Sequence, residues 1–186
     1  AVALLVKLSS PGPVIYRQPR VGIDRRGPHS TDPTGRRRVD YGGRLFTIYK
    51  FRTMRSDASP ASQVWASKDD CRVTPVGRIL RSFRLDELPQ LVNVLKGDMN
   101  IVGPRPEQPE IFMNLRDVVA GYSQRQRVLP GITGWAQINL SYDSSLETVQ
   151  QKTRFDLEYI QRCSVVQDMK ILLRTVPVMV FRRGAW

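Results

Sequence analysis

Histidine and cysteine are scarce in this sequence, and their scarcity excludes several kinds of site. The 186 residues include one histidine, His29, and two cysteines, Cys71 and Cys163, which lie far apart. Such a set cannot supply the His and Cys cluster of a zinc site, and two unpaired cysteines fit a reducing compartment. His29, in a stretch rich in Gly, Pro and Ser, is the one candidate imidazole base for a Ser or Cys nucleophile. Nucleophilic or acid–base chemistry therefore falls to carboxylates.

Acidic residues are also few. The chain has 17 Asp and Glu against 29 Lys and Arg, a net charge of +12. In residues 17–55, eleven basic residues accompany three Asp, so a surplus of eight positive charges lies in one segment. This bias indicates a polyanionic partner, which could be nucleic acid, an anionic membrane surface or a di- or triphosphate.

Much of the positive charge falls in a Gly/Pro/Arg-rich loop predicted at residues 23–43. The loop could be a solvated surface segment, a contact for anionic lipid headgroups or an RNA-binding loop. No aromatic residue interleaves with its arginines, which argues against nucleic acid as the partner.

Long hydrophobic runs are absent too: no stretch reaches the roughly 18 apolar residues that a membrane-crossing helix needs. Residues 1–8 are nonetheless apolar except for Lys7, and they read as the end of a helix. Either this helix packs on the domain, or it is the tail of a truncated hydrophobic membrane segment, which the composition favours. Residues 165–181 form either a core helix or an interfacial helix with basic ends.

The rest of the chain is organised around residues 82–106, which contain the adjacent carboxylates Asp86 and Glu87. Pro89 is tolerated only in a first helical turn, so a helix should begin near Asp86, and Gly97 is its natural stop. The three- and four-residue spacing of apolar residues predicts one buried helical stripe. That stripe comprises Leu85, Leu88, Leu91, Val92 and Leu95.

Two interpretations of this carboxylate pair stay open at the level of residue chemistry. The pair could be a helix cap, or it could be the centre of a phosphoryl-transfer site. Basic residues that could hold phosphate surround it in sequence. They are Lys50 and Arg52 on a predicted strand over residues 44–54, Arg81 on a short helix, and Arg105 in a Gly-Pro-Arg-Pro turn.

Other segments give a coarse outline with no repeat and no second domain. A short strand is predicted at residues 14–16, and residues 130–139, PGITGWAQIN, are predicted to be a shaped loop rather than a regular element. Ser144 or Ser145 should cap a long helix that ends near Arg162, with Glu147 as the partner in a capping box.

Five segments occur in an order that resembles one known family. They are GPVIYRQPRVG, RLFTIYKFRTMRSD, RVTPVGRILRSFRLDELPQLVNVLKGDMNIVGPRP, LPGITGWAQIN and DLEYIQRCSVVQDMKILLRTV. Together they are similar to the catalytic domain of the bacterial sugar transferases, the monotopic polyprenyl-phosphate phosphoglycosyltransferases. The resemblance covers nearly all of residues 9–183, so we expect residues 9–186 to form that domain.

The resemblance implies a function and a set of roles. It implies transfer of a sugar-1-phosphate from a nucleoside-diphosphate sugar, usually a UDP-sugar, to a polyprenyl phosphate at the cytoplasmic face of the bacterial inner membrane. Asp86 would be the nucleophile that forms an aspartyl phospho-sugar, and Glu87, with Asp86, would hold Mg²⁺. Lys50, Arg52, Arg81 and Arg105 would bind phosphate. Asp98 and Glu107 are weaker candidates, since Asp98 could be structural and Glu107 could touch donor or metal.

The expected architecture is α+β, with several helices around a small sheet or hairpin and a basic, amphipathic face on the membrane. The loop at residues 24–42 is longer than in compact members of the family, which leaves its role open. The alternative to an enzyme is a basic module that binds anionic lipid or RNA and catalyses nothing. It predicts affinity that falls steeply with salt and no requirement for a metal.

Overall fold

The structure is a computed structural model that describes residues 1–25, 40–55, 70–140 and 145–180. The α-helices are α1 Val2–Ser9, α2 Pro75–Ser82, α3 Leu91–Leu95, α4 Pro109–Val118, α5 Trp135–Asn139, α6 Leu146–Gln161 and α7 Val165–Val180. The strands are β1 Ile15–Val21, β2 Leu45–Phe51, β3 Asn100–Val102 and β4 Gly131–Thr133, and 3₁₀ helices span Leu85–Gln90 and Tyr122–Arg127. Most of the predicted basic loop and of the polar stretch 56–70, together with Arg182 and Arg183, lies outside the described residues.

Two small sheets carry the strands that the structure describes. β1 and β2 pair antiparallel, from Ile15 opposite Phe51 to Val21 opposite Leu45. β1 therefore runs well beyond the predicted residues 14–16, because pairing with β2 holds Arg17–Val21 in extended conformation despite the proline there. β3 and β4 pair in parallel, with Asn100 opposite Gly131 and Val102 opposite Thr133.

The segment predicted to be a loop at residues 130–139 is instead β4 followed by α5, so that prediction is wrong. Its glycines serve close packing as well as turning. A Cβ atom on Gly131 would overlap the backbone nitrogen of Gly103, so only glycine lets β4 lie against the turn that follows β3. This contact brings the PGITG segment up to the Gly-Pro-Arg-Pro turn.

Three apolar clusters hold the elements together. The first joins β1 to α4 and α6 through Val21, Phe112, Val119, Tyr122 and Val149. The second packs Phe46 and Ile48 of β2 against Met99, and the third packs Val102 of β3 against Tyr159 and Ile171.

The expected α+β class is confirmed. Within the ranges described above, no helix is both long and apolar enough to cross a membrane.

The long helix α6 begins as its cap predicts, with one correction. Ser145 is the N-cap, its side chain accepts from the amide of Thr148, and the Thr148 hydroxyl accepts from the Ser145 amide at 3.0 Å. Thr148 therefore completes the capping box, and Glu147 does not. Because Ser145 rather than Ser144 caps the helix, the third helical position is one residue later than Glu147.

Of the five apolar residues predicted to form a buried stripe in residues 85–95, Leu85 is half-buried and the other four are exposed. Leu88, Leu91 and Val92 are 46%, 47% and 45% exposed, and Leu95 is 89% exposed. The buried residues of this run are polar: Asp86, Glu87, Gln90 and Asn93. The spacing correctly identifies residues that share one helix face. Because the opposite, polar face is the buried one, the apolar face is exposed to solvent.

Asn93 shows why the polar face turns inward. Its side-chain oxygen accepts from the amide of Tyr49 at 3.1 Å, and its side-chain nitrogen donates to the carbonyl of Thr47 at 2.7 Å. Both partners are backbone groups of β2, so the Asn93 side chain joins α3 directly to this strand by hydrogen bonds. The helix cannot rotate its leucines inward without breaking the hydrogen bonds of the buried Asn93 side chain.

Candidate active site

The carboxylate pair lies in the first turn of the 3₁₀ helix, immediately after a strained residue. Arg84 has φ 55° and ψ 20°, and it is the one non-glycine residue with positive φ in the part of the chain that the structure describes. Left-handed backbone at a non-glycine residue is unfavourable and persists where surrounding contacts impose it, often at functional sites. Here it turns the chain from α2 into the helix that carries Asp86 and Glu87, both of which are buried.

Glu87 receives two cations from separate parts of the chain. Lys50, near the end of β2, places its Nζ atom 2.8 Å from Glu87 Oε1. Arg105, in the Gly-Pro-Arg-Pro turn, places an Nη2 atom 2.7 Å from the same oxygen. The structure thus brings together three of the predicted site residues that lie on a strand, a helix and a turn.

These cations determine the charge of Glu87. Burial by itself would raise the pKa of Glu87, but Arg105 and Lys50 outweigh burial and hold that pKa well below its usual range. Burial lowers the pKa of Lys50 although Glu87 opposes the shift, and the charge of Glu87 raises the pKa of Arg105. At neutral pH Glu87 is therefore a carboxylate whose Oε1 atom is paired with two cations.

Asp86 is in the opposite situation. Among the described residues no hydrogen bond reaches its carboxylate. Burial and the charge of Glu87 raise the pKa of Asp86, while Lys50, Arg81 and Arg105 oppose that shift from a distance. Two neighbouring carboxylates with pKa values displaced in opposite directions are typical of sites where each has its own chemical task. The raised pKa also makes ionised Asp86 the more basic oxygen nucleophile of the two.

Arg81 and Arg52 do not contact the carboxylates directly. Arg81 donates from Nε to the hydroxyl of Thr53 at 3.0 Å and acts on Asp86 through its charge alone. Arg52 is buried and donates to backbone carbonyls of Pro13 at 2.7 Å, Ser10 at 2.5 Å and Val6 at 3.1 Å. The structure therefore gives Arg52 the role of fastening α1 to the end of β2, away from Lys50.

We expect Arg52→Met to destabilise the domain while leaving donor binding intact. The substitution leaves three backbone carbonyls without their charged donor, so the free energy of unfolding should fall by about 2–3 kcal/mol in urea denaturation. The KM for the nucleotide-sugar should stay within about twofold, and the exposed Arg78→Met is the matched control for charge. A raised donor KM with unchanged stability would show that Arg52 binds phosphate, as its sequence position predicts.

The two weaker candidates lie at the margin of the site. The amide of Asp98 donates to the carbonyl of Asn93 at 3.0 Å, and no described ion pair joins its carboxylate to the site. Glu107 lies 3.9 Å from Arg20 and contributes to the raised pKa of Arg105. Asp98 therefore belongs to the turn that ends α3, and Glu107 acts on the site through neighbouring arginines.

Residues that sequence reasoning missed hold the Arg105 turn in place. Arg125 Nε lies 2.7 Å from Asp156 Oδ2 in an ion pair whose side chains are 5% and 3% exposed, and its Nη2 donates to the carbonyl of Arg105 at 3.1 Å. Arg20 donates to the carbonyl of Pro106 at 3.0 Å. Two guanidinium groups thus hold two successive peptide groups, Arg105–Pro106 and Pro106–Glu107. No local pattern reveals the pair Arg125 and Asp156, because the two residues are 31 positions apart.

The donor set suits one kind of metal ion. No group of three or more His, Cys, Asp or Glu side chains in the described ranges could form a closed metal cage. Mg²⁺ does not require one, because it keeps several waters and is usually held by one or two carboxylates together with substrate phosphates. Asp86 and Glu87 fit that description.

Buried carboxylates beside a lysine and an arginine, on an α+β scaffold, define the class of site that phosphoryl transfer requires. A family model agrees with this assignment and is more specific. The model described as "Bacterial sugar transferase" matches residues 32–182, and the chain belongs to that family, as the resemblance predicts.

Curated relatives are similar along almost the whole chain. A UDP-glucose:undecaprenyl-phosphate glucose-1-phosphate transferase of Escherichia coli K12 is 44% identical over 177 residues, which cover 94% of this chain and 34% of that protein. A UDP-N-acetylgalactosamine-undecaprenyl-phosphate N-acetylgalactosaminephosphotransferase of Aeromonas hydrophila is 38% identical over 185 residues. The aligned residues cover 100% of this chain and 40% of that protein. The chain therefore spans about a third to two fifths of the length of these two relatives.

Proposed function

We propose that this chain is the catalytic domain of a phosphoglycosyltransferase that moves a sugar-1-phosphate from a UDP-sugar to a polyprenyl phosphate. The observation that carries the proposal is the contrast within the carboxylate pair. Glu87 is held ionised by two cations, while Asp86 beside it is buried, basic and without a hydrogen-bond partner among the described residues. The names of the curated relatives supply the two substrates.

In the proposed reaction Asp86 is a covalent nucleophile. An Asp86 carboxylate oxygen attacks the phosphorus that bears the sugar, and the bond from that phosphorus to the bridging oxygen breaks, so UMP leaves. An oxygen of the polyprenyl phosphate then attacks the aspartyl phospho-sugar, which forms the lipid diphosphate-sugar and frees Asp86. Both attacking groups are oxyanions when ionised, and in that form neither step needs a His base.

The basic residues provide electrostatic stabilisation. Negative charge accumulates on the phosphoryl oxygens in both steps, and preorganised cations near those oxygens lower the barrier. Lys50 and Arg105 are fixed by Glu87, and Arg81 by Thr53, so all three stand near Asp86 before substrate arrives. Mg²⁺, held by Glu87 and Asp86 with phosphate oxygens, would supply further charge neutralisation to the diphosphate.

Exposed apolar surface supports a membrane as the place of action. The apolar ridge, which we define as Leu88, Leu91, Val92 and Leu95, borders the carboxylate pair in sequence and is about half or more exposed. Helix α7 carries a second exposed apolar face, formed by Val165, Val166, Met169, Leu173 and Val176. Large exposed apolar patches mark interaction sites, and with the surplus of positive charge they fit an anionic lipid surface. We place this surface at the cytoplasmic face of the bacterial inner membrane.

The test of the proposal is direct detection of the covalent intermediate. The full-length protein is incubated with Mg²⁺ and a panel of UDP-sugars that includes UDP-glucose and UDP-N-acetylgalactosamine, without acceptor, and its intact mass is measured. We expect one donor to add the mass of its phospho-sugar with release of UMP, and EDTA to prevent the addition. Omission of the donor is the control.

Addition of polyprenyl phosphate should remove the adduct and produce the lipid diphosphate-sugar. No adduct, no UMP and no lipid product with any donor would contradict the enzymatic function. Salt-sensitive binding to anionic vesicles or RNA in the same preparation would then favour the non-catalytic basic module.

A further inference from the structure

An open groove of about 90 Å³ reaches the carboxylate pair and is bounded mainly by apolar side chains. Its charged residues are Arg84 and Glu87, and its uncharged polar residues are Thr133, Gln137 and Thr175. Its apolar residues are Leu88, Leu91, Ile132, Ile138, Val178 and Met179, which come from the 3₁₀ helix, α3, β4, α5 and α7. One surface feature therefore joins a charged site to an apolar wall built by five elements.

The hydroxyl groups in the groove wall are already engaged. Thr175 donates its hydroxyl hydrogen to the carbonyl of Ile171 at 2.8 Å. The hydroxyls of Thr133 and Thr175 lie 2.8 Å apart, so Thr133 is left as the donor in that pair. Neither threonine has a hydrogen to offer to a ligand. The uncharged polar group left to bind one is the amide of Gln137, whose side-chain nitrogen and oxygen are buried without a hydrogen-bond partner among the described residues. A sugar or a nucleoside, which needs many hydrogen bonds, finds few partners here.

Arg84 gives the groove a cation for an anionic group. In the part of the chain that the structure describes, no hydrogen bond or ion pair engages the guanidinium of Arg84. Arg84 lies in the strained turn immediately before Asp86, so an anion bound to it would be next to the nucleophile. The wall and Arg84 together fit an amphiphile with an anionic head and an apolar tail.

We propose that this groove holds the first isoprene units of the polyprenyl phosphate acceptor, with its phosphate against Arg84 beside Asp86. The inference rests on the proposed function and adds the location of the acceptor. Continuity with the apolar ridge supports this occupant, because Leu88 and Leu91 belong both to the groove and to the ridge. A chain that leaves the groove at these residues passes directly onto the surface proposed to lie on the membrane.

Two pairs of tryptophan variants of the full-length protein test the assignment from opposite walls. Leu91→Trp and Met179→Trp fill the groove, and the controls are Ile79→Trp and Val118→Trp, at exposed apolar residues of α2 and α4 that belong neither to the groove nor to the two exposed apolar faces. Each is assayed for transfer at varied undecaprenyl phosphate and, without acceptor, for exchange of labelled UMP into the UDP-sugar. Thermal unfolding of all four variants identifies any that fails to fold. If one groove variant does not fold, the variant on the opposite wall is used for the test.

We expect the groove variants to raise the acceptor KM about tenfold, because the bulky ring displaces buried isoprene contacts. UMP exchange, which involves only the donor, should stay within about twofold, and both controls should match wild type. A donor KM or exchange rate affected as strongly as the acceptor KM would overturn the assignment, since the groove would then receive the donor. An unchanged acceptor KM in folded groove variants would also overturn the assignment of the groove to the acceptor. As long as the wild type is active, that result does not contradict the proposed function. Wild type with neither exchange nor transfer would contradict the proposed function itself.

Discussion

Replacing Asp86 by asparagine should leave a folded protein that forms no intermediate. Asparagine keeps the shape of the side chain but cannot form an acyl phosphate, so turnover should fall by about 10³-fold or more and the adduct should disappear. The change should not destabilise the domain. Burial and the charge of Glu87 raise the pKa of Asp86, which means that the ionised form is disfavoured in the folded state.

The sign of the stability effect follows from that shift. A carboxyl group with a raised folded pKa favours folding at low pH, and this contribution is lost as pH rises through the folded pKa. At neutral pH, Asp86→Asn should therefore unfold at the same temperature as wild type or higher. Intact mass with the donor and thermal unfolding at pH 7 measure both parts. If the variant still forms the adduct, Asp86 is not the nucleophile. If the variant is inactive because it no longer folds, its inactivity does not support Asp86 as the nucleophile.

Glu87→Gln should lower both stability and activity. Glutamine has nearly the same volume, but Lys50 and Arg105 then lack the anion that they share. Breaking a buried ion pair costs about 3–5 kcal/mol, and we expect the lower end, about 3 kcal/mol, because the Arg105 side chain is partly exposed to solvent. The loss of fixed cations should reduce kcat by about 10²–10³-fold. Asp98→Asn is the matched control, with little expected effect on either quantity.

The stability difference between wild type and Glu87→Gln should depend on pH in a defined direction. The folded pKa of Glu87 is well below the usual range, so its contribution is present above the unfolded pKa of about 4.3 and is lost as pH falls through the folded value. Urea denaturation should show the full difference at pH 7 and a shrinking one as pH drops below about 4. A difference that stays constant between pH 7 and pH 3 would contradict the electrostatic account.

Sequence reasoning succeeded where the chemistry is local. The carboxylate pair at a helix start, the strand that carries Lys50, and the turn that presents Arg105 are all encoded by adjacent residues. Gly97 has φ 72°, the left-handed conformation that its role as a helix stop predicts. The order of the five sequence segments also predicts the family, and the family model confirms that prediction.

It failed where burial depends on residues distant in sequence. The spacing of Leu88, Leu91 and Leu95 is the same whether that face meets a core or the surface, and the side chain of Asn93 decides between them. The spacing of Arg52 and Lys50, two positions apart, does not reveal that Arg52 contacts the distant carbonyls of Val6, Ser10 and Pro13. The parallel pairing of β3 and β4 joins residues 31 positions apart, which no local pattern of β4 announces.

The hydrogen bonds of Asn93 have a consequence for the hairpin as a whole. A two-stranded sheet exposes backbone groups along its outer edges, and such an edge can recruit a strand from another molecule. On β2 the carbonyl of Thr47 and the amide of Tyr49 are already bonded to Asn93, in the manner of a short third strand. With one amide side chain, Asn93 thereby closes this part of the β2 edge to pairing with a strand of another molecule.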